Sequence, residues 1–483
     1  MTLQGSSCLH PVDRFIRKIG DRPKTMPQSD EKVGDYLDAL TGLAKSVSLD
    51  RVPSSVVHAG RRLFLDTVAA ILAGMSEPKV LVLAKEMNAS SISPCSTMMG
   101  SSYRADAMWA AFVNAKAGVW HSIDGGHRFT GGHPGIYTVA AGLAVGEREG
   151  ASGRDLLEAI IAGYEVAARV GLGTTLRPGM DSHGSWPLLG AATTAGLLMG
   201  YDQRRLRETL NVSTSLNLAS SSRAAYEGAT IRHAYAGFGA AMGVFAADLV
   251  KDGFTAERDG VSTVFGNIAG VFLDEEKAVT GMGNYWEIER GYYKRYACAR
   301  DIHAALDALR SLSERESISP DSVERIEVDT YSLAATMNDT APESPQAAKL
   351  SIPYALACLL LLKEVSLSAY TEKAFGNPEI RSLAKRVAVR EKRDLTARTP
   401  WERPADVRVV LRDGRILKAS ANLPEGEPDH GPLGDHEIKD RFMNLAVRVL
   451  DEKRAVRLMN KLWDLESVKE VGEITSLCRN DQP

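Results

Sequence analysis

The chain has 483 residues, too many for one hydrophobic core, so two domains are the expectation. Hydrophobic residues make up 44% and charged residues 25%, an ordinary globular balance. A formal net charge of −3 speaks against a general nucleic-acid binder, and no uncharged apolar run of roughly eighteen residues offers a membrane span.

Residues 1–32 read as a loosely ordered extension. They are polar, carry Pro11, Pro23 and Pro27, and mix six lysines and arginines with acidic residues such as Asp13 and Asp21; no apolar stretch follows to make a targeting peptide. From Val33 to Gly74 apolar residues recur at helical spacing, and Pro53 falls where a second helix would begin. A third helix, residues 104–119, delivers the chain into HSIDGGHRFTGGHPG, residues 121–135.

That loop holds three of the ten histidines (His121, His127, His133), together with Asp124, Arg128 and five glycines. So much glycine implies sharp turns or close approach, and helices on both sides would hold the loop rigidly. Imidazoles beside a carboxylate can move protons near neutral pH. A plain structural turn and a metal site are the competing readings. Successive histidines are six residues apart, which matches no familiar zinc spacing, and no cysteine lies near. We read His127 and Arg128 as substrate-binding members of this loop.

Residues 136–147 and 153–171 again read as helices, the latter with Asp155 and Glu158 in its first turns. HGSWPLLGAATTAGLLMG (183–200) follows, a turn and then a helix rich enough in Gly and Ala for neighbours to pack closely. His183 precedes that helix, near its positive end; it either favours an anionic ligand or caps a turn. Residues 203–220 read as a helix, and Arg232 and His233 open a further small-residue helix that runs to Leu249.

The pattern changes near Gly281. GYYKRYACAR (291–300) sets Lys294, Arg295 and Arg300 among aromatics, a cluster suited to carboxylates unless it is a solvated turn. Residues 301–314 are helical and Val323–Tyr331 alternates like a half-buried strand. Apolar helices are expected at Ile352–Leu362 and Pro378–Val389, and a hairpin at Val407–Leu417 turning on Asp413-Gly414. From His436 the chain is helical again. The five cysteines (Cys8, Cys95, Cys298, Cys358, Cys478) are odd in number and scattered, which reads as free thiols in a reducing, cytoplasmic setting. Phosphate-loop, dinucleotide-binding and G-x-S-x-G motifs are absent, so an enzyme without an organic cofactor fits best.

In order and spacing, RRLFLDTVAAILAG (61–74), AAFVNAKAGVWHSID (110–124), GGHPG (131–135), His183–Gly190, Thr230–Gly237 and YYKRYAC (292–298) resemble the MmgE/PrpD family. That family includes 2-methylcitrate dehydratase, cis-aconitate decarboxylase and an iminodisuccinate epimerase. The resemblance spans about 33–465. It implies a mainly α protein: a large all-helical domain built from both chain ends (33–280 and 426–483), plus a smaller α+β lid (281–425). It also implies a homodimer, no metal and no organic cofactor. By the same resemblance, Asp124, His133 and His183 are catalytic, and Arg232 and Lys294 bind substrate. The chain departs from the family in two places. Asp124-Gly125-Gly126 stands where an Asp-Phe-Asp-Asp run is common, and Arg232 stands where a lysine is frequent. The lid tyrosine of some members has no clear counterpart, Tyr331 being only nearby. The resemblance implies a lyase acting on a small di- or tricarboxylate by proton abstraction next to a carboxylate. An epimerase of a dicarboxylate, or a degenerate metabolite-binding member, is the alternative.

Overall fold

The computed structural model describes residues 35–480, so the expected 1–32 extension lies outside the described residues. The fold is mainly α. Its first helices are Asp35–Ser46, Ser54–Met75 and Pro78–Ser90, and Pro53 is the cap of the second rather than its first turn. Apolar and small residues bury the Ser54–Met75 helix along most of its length. Gly74 lets it press on the Ala107–Trp120 helix, because a Cβ at Gly74 would meet the carbonyl oxygen of Ala117. The close packing expected of the Gly/Ala-rich helices is present as well. Leu188–Leu198 and Arg232–Lys251 pack together, and a Cβ on Gly243 would fall 2.5 Å from the Cβ of Ala191.

Pro134–Glu149 and Gly153–Gly173 are helices, the second opened by a reciprocal Ser152–Asp155 capping box. The helix expected over 203–220 ends at Thr214, and residues 215–222 form turns that carry the chain towards Arg232. Among the described residues no single helix is long and apolar enough to cross a membrane.

A four-stranded sheet has the order Ile416–Ala421, Ala405–Leu411, Val323–Thr330, Val387–Glu391. The hairpin turns at Asp413-Gly414 as expected, with Gly414 at φ 88°. The Pro378 helix was expected to reach Val389 but stops at Ala384, and Val387–Glu391 instead pairs parallel with Ile326–Thr330. Its valines suit a pleated, half-buried surface better than a helix interior. Two-residue strands were not legible in the sequence at all. One pair joins Gly126–His127 to Gly291–Tyr292 and so ties the histidine loop to the aromatic–cationic stretch. The C-terminal helices Asp435–Ala446 and Glu452–Trp463 pack on Ser54–Met75.

Candidate active site

A cavity of about 240 Å³ is lined by residues of the histidine loop, by Arg232, and by Lys294, Arg300, Asp301 and Arg403 from later in the chain. Asp124 and His133 face it from the loop. Gly131 takes a left-handed φ of 65°, and Gly132 passes so close to Trp186 that a Cβ would meet the indole at 2.3 Å. The turn then hands His133 to the head of the Pro134–Glu149 helix. Ser122, a non-glycine residue at φ 55°, holds strain at the wall of the same cavity.

His133 Nδ1 lies 2.9 Å from the carbonyl oxygen of Gly125 and 2.8 Å from Asp124 Oδ2. A carbonyl can only accept, so Nδ1 carries a hydrogen, and in the neutral ring the lone pair is on Nε2. Asp124 is 4% exposed. Burial alone would raise its carboxyl, but His133 and then Lys294 outweigh that and hold it below the usual carboxylate range.

His183 stacks on His133, centroids 4.9 Å apart and planes at 22°, and does not itself line the cavity. The Tyr137 hydroxyl accepts the Gly184 N–H at 2.9 Å and shares a hydrogen bond with His183 Nδ1 at 3.2 Å. His183 Nε2 is buried without a hydrogen-bond partner. Burial, then Arg232 and His133, push this histidine well below its ordinary range, so it is neutral at pH 7.

Lys294 donates to the carbonyl oxygen of Ser122 at 2.9 Å and stands 3.8 Å from Asp124 Oδ1. Burial lowers its pKa, partly offset by Asp124. Arg232, first residue of its helix, lines the cavity 3.5 Å from Asp181 Oδ2, and its Nε is buried without a partner. The aromatic–cationic stretch is thus no solvated turn at Lys294.

Two expected substrate-binding residues point elsewhere. His127 is fully buried and bonds Glu287 Oε2 at 2.9 Å; burial lowers its pKa. The short strand pairing turns it into a charged network with Arg290 and away from the cavity. Arg128 pairs with Asp429, donates to the Trp401 carbonyl oxygen at 3.0 Å, and does not line the cavity either. His121 is buried against Ala73 and Glu77.

Other residues at the site were not singled out from sequence. Arg441, on a C-terminal helix, donates to Asp66 at 2.8 Å and to the carbonyl oxygens of Ile123 and Lys294, clamping both active loops from behind. The lone carboxylate of Asp66 inside an apolar helical run was the available signal. Arg403 and Asp301 form a further part of the wall, and the Tyr331 hydroxyl bonds Asp301.

Asp124, His133 and His183 each bring one ligand-type atom within 4.8 Å of the others. A histidine bonded through its other nitrogen to a carbonyl is also a common arrangement in metal sites. Charge argues the other way, because the Lys294 ammonium already stands beside Asp124 where an ion would sit. The four described cysteines are free, and none is in this group.

Models of the MmgE/PrpD N-terminal domain and the MmgE/PrpD C-terminal domain match residues 38–280 and 296–465. The chain belongs to the MmgE/PrpD family. It is 25% identical over 472 residues to the cis-aconitate decarboxylase-like protein oryM of Aspergillus oryzae, covering 89% of this chain and 94% of that protein. It is 22% identical over 464 residues to a cis-aconitate decarboxylase of Aspergillus terreus, covering 90% of this chain and 94% of that protein.

Proposed function

We propose that this MmgE/PrpD protein is a lyase of the dehydratase or decarboxylase type, acting on a small di- or tricarboxylate without metal or organic cofactor. The observation that carries the reading is the state of His133. Its Nδ1–H is spent on Gly125, Asp124 stands by to stabilise an imidazolium, and Nε2 is left as a base on a cavity shared with Lys294 and Arg232. The relatives named for cis-aconitate decarboxylation, matched across nearly their whole length, support the same class.

In a dehydration, the C–H bond next to a carboxylate breaks to His133 and the electron pair forms the alkene. The β C–O bond breaks, and the hydroxyl departs as water with a proton from the Lys294 ammonium, made more acidic by burial. In a decarboxylation, the C–C bond breaks, CO₂ leaves, and His133, protonated beforehand from solvent, gives its Nε2 proton to the carbanion. In both, Arg232 and Lys294 hold carboxylates and stabilise the enolate-like charge. His183, neutral and stacked behind His133, is the second proton carrier.

The cavity draws its walls from residues before 233 and after 291, which supports reading 281–425 as a lid over a helical body. An epimerase needs proton donors on two faces of the substrate, whereas both histidines stack on one side, so the lyase is favoured. The test is NMR of the purified protein with a panel of carboxylates in heavy water. Gain or loss of an alkene supports the lyase. Deuteration with inversion at the carbon next to a carboxylate replaces it by the epimerase, and silence across a broad panel refutes both.

A further inference from the structure

Four cations line the cavity, and their hydrogen-bond donors are not equally used. Arg300 has a partner at each of its three nitrogens: Glu427 accepts from Nε at 2.6 Å and also faces Nη2, while the Arg128 carbonyl oxygen accepts from Nη1 at 2.9 Å. Lys294 is committed to Ser122 and Asp124. Arg232 and Arg403 each have a buried Nε–H without a hydrogen bond, but the Arg232 Nε already stands 3.5 Å from Asp181 Oδ2, which leaves Arg403 the more open of the two. At Arg403 only Nη1 is engaged, to Asp301 Oδ1 at 2.7 Å and the Tyr331 oxygen at 3.3 Å. The Tyr331 hydroxyl donates to that same Asp301 oxygen, so one edge of the guanidinium is held while the Nε edge is unfilled. A buried charged donor without an acceptor is costly, and the open edge of Arg403 on the cavity wall marks where an acceptor of a ligand belongs.

We infer that Arg403 is a second carboxylate clamp. The substrate carries at least two carboxylates, one seated on Arg232 with Lys294 and another on the open edge of Arg403. Asp301 and Tyr331 are positioning residues that orient the guanidinium. The inference rests on the carboxylate reading above and adds the number and seating of the acid groups.

The probe is propane-1,2,3-tricarboxylate, a saturated triacid with no leaving group on the carbon next to its carboxylates, with butanoate as the single-acid control. Isothermal titration calorimetry is run on the full-length wild type, Arg403→Met and Arg403→Lys. Loss of a hydrogen-bonded charge should weaken triacid binding roughly 10- to 100-fold in Arg403→Met and leave butanoate binding unchanged. Arg403→Lys keeps the charge without the fork and should weaken triacid binding several-fold. It carries the test alone if Arg403→Met fails to fold. Triacid affinity within twofold of wild type in whichever folded variant is measured, or a wild type that binds no triacid, overturns the inference. Turnover in the heavy-water panel is scored separately. Turnover with Arg403-independent binding refutes the clamp and keeps the lyase; Arg403-dependent triacid binding without turnover does the reverse.

Discussion

His133 and His183 stack face to face at 4.9 Å, yet only His133 opens onto the cavity. Gly125 accepts the Nδ1 hydrogen of His133, whereas Nδ1 of His183 shares a hydrogen bond with the Tyr137 hydroxyl. The first ring, when neutral, is a base towards substrate, and Nε2 of its neighbour is buried without a partner. His133→Ala should lower kcat by roughly a hundred- to ten-thousand-fold with little change in KM. His183→Ala should also fall mainly on kcat. Wild-type kcat in His183→Ala would remove it from the proton path.

Arg232 is expected to hold substrate rather than move a proton, because a guanidinium stays charged at any working pH. Arg232→Ala should raise KM by about tenfold or more, with a smaller effect on kcat. Arg232→Lys keeps the charge, loses the unpartnered Nε–H, and should sit between the two. Unchanged KM with turnover abolished in Arg232→Ala would reverse this division of labour.

The Asp124–His133–His183 group has the reach to hold an ion, but it shares Asp124 with Lys294. Activity should therefore survive exhaustive chelation, and added zinc should inhibit rather than activate. Stoichiometric metal in the purified protein, with activity lost on stripping and restored on return, would show that the ion wins the site from the lysine.

Away from the cavity, Glu165 is 1% exposed, accepting from Arg169 Nε at 2.7 Å and from the Glu287 N–H at 2.8 Å. Burial, reinforced by Glu287 and opposed by Arg169, pushes its carboxyl up to about 7 from an ordinary 4.5. Between those values the folded chain binds more protons than the unfolded one, so stability falls as pH rises through the window. The contribution is fully present below about pH 4.5 and lost above about pH 7, and is on the order of 3 kcal/mol. Urea unfolding at pH 5 and pH 8 should show wild type gaining on Glu165→Gln at the lower pH. An equal difference at both pH values would mean the carboxyl does not titrate as described.

Many of the helices were legible because long 3.6-residue patterns at 54–75, 153–173 and 352–362 are set by local spacing. Asp124, His133 and Lys294 stood out as reactive groups beside Gly, Pro or aromatic residues, whereas the role of Arg232 came only from the family resemblance. His127 misled because it shares the loop's composition but not its direction: a two-residue strand pairing, invisible to periodicity, turns it into the Glu287 network. Arg403, Asp301 and Tyr331 could not be grouped from spacing, since they meet only once Val323–Thr330 pairs with Ala405–Leu411. The strand Val387–Glu391 was lost in the same way, as its partner lies some sixty residues earlier.

The acceptor that fixes the tautomer of His133 is a main-chain oxygen, that of Gly125. No exchange of side chain at position 125 can delete it; a replacement acts only by displacing the loop, because an added Cβ would come within 2.7 Å of the Tyr292 carbonyl oxygen. The reactive nitrogen is therefore robust to loss of its partner by point substitution and fragile to changes of length. Gaining or losing one residue between Gly125 and His133 would slide the carbonyl out from under the ring and free the hydrogen to choose either nitrogen. Length variation in this segment, more than residue identity, is the route by which a relative could lose or alter this chemistry.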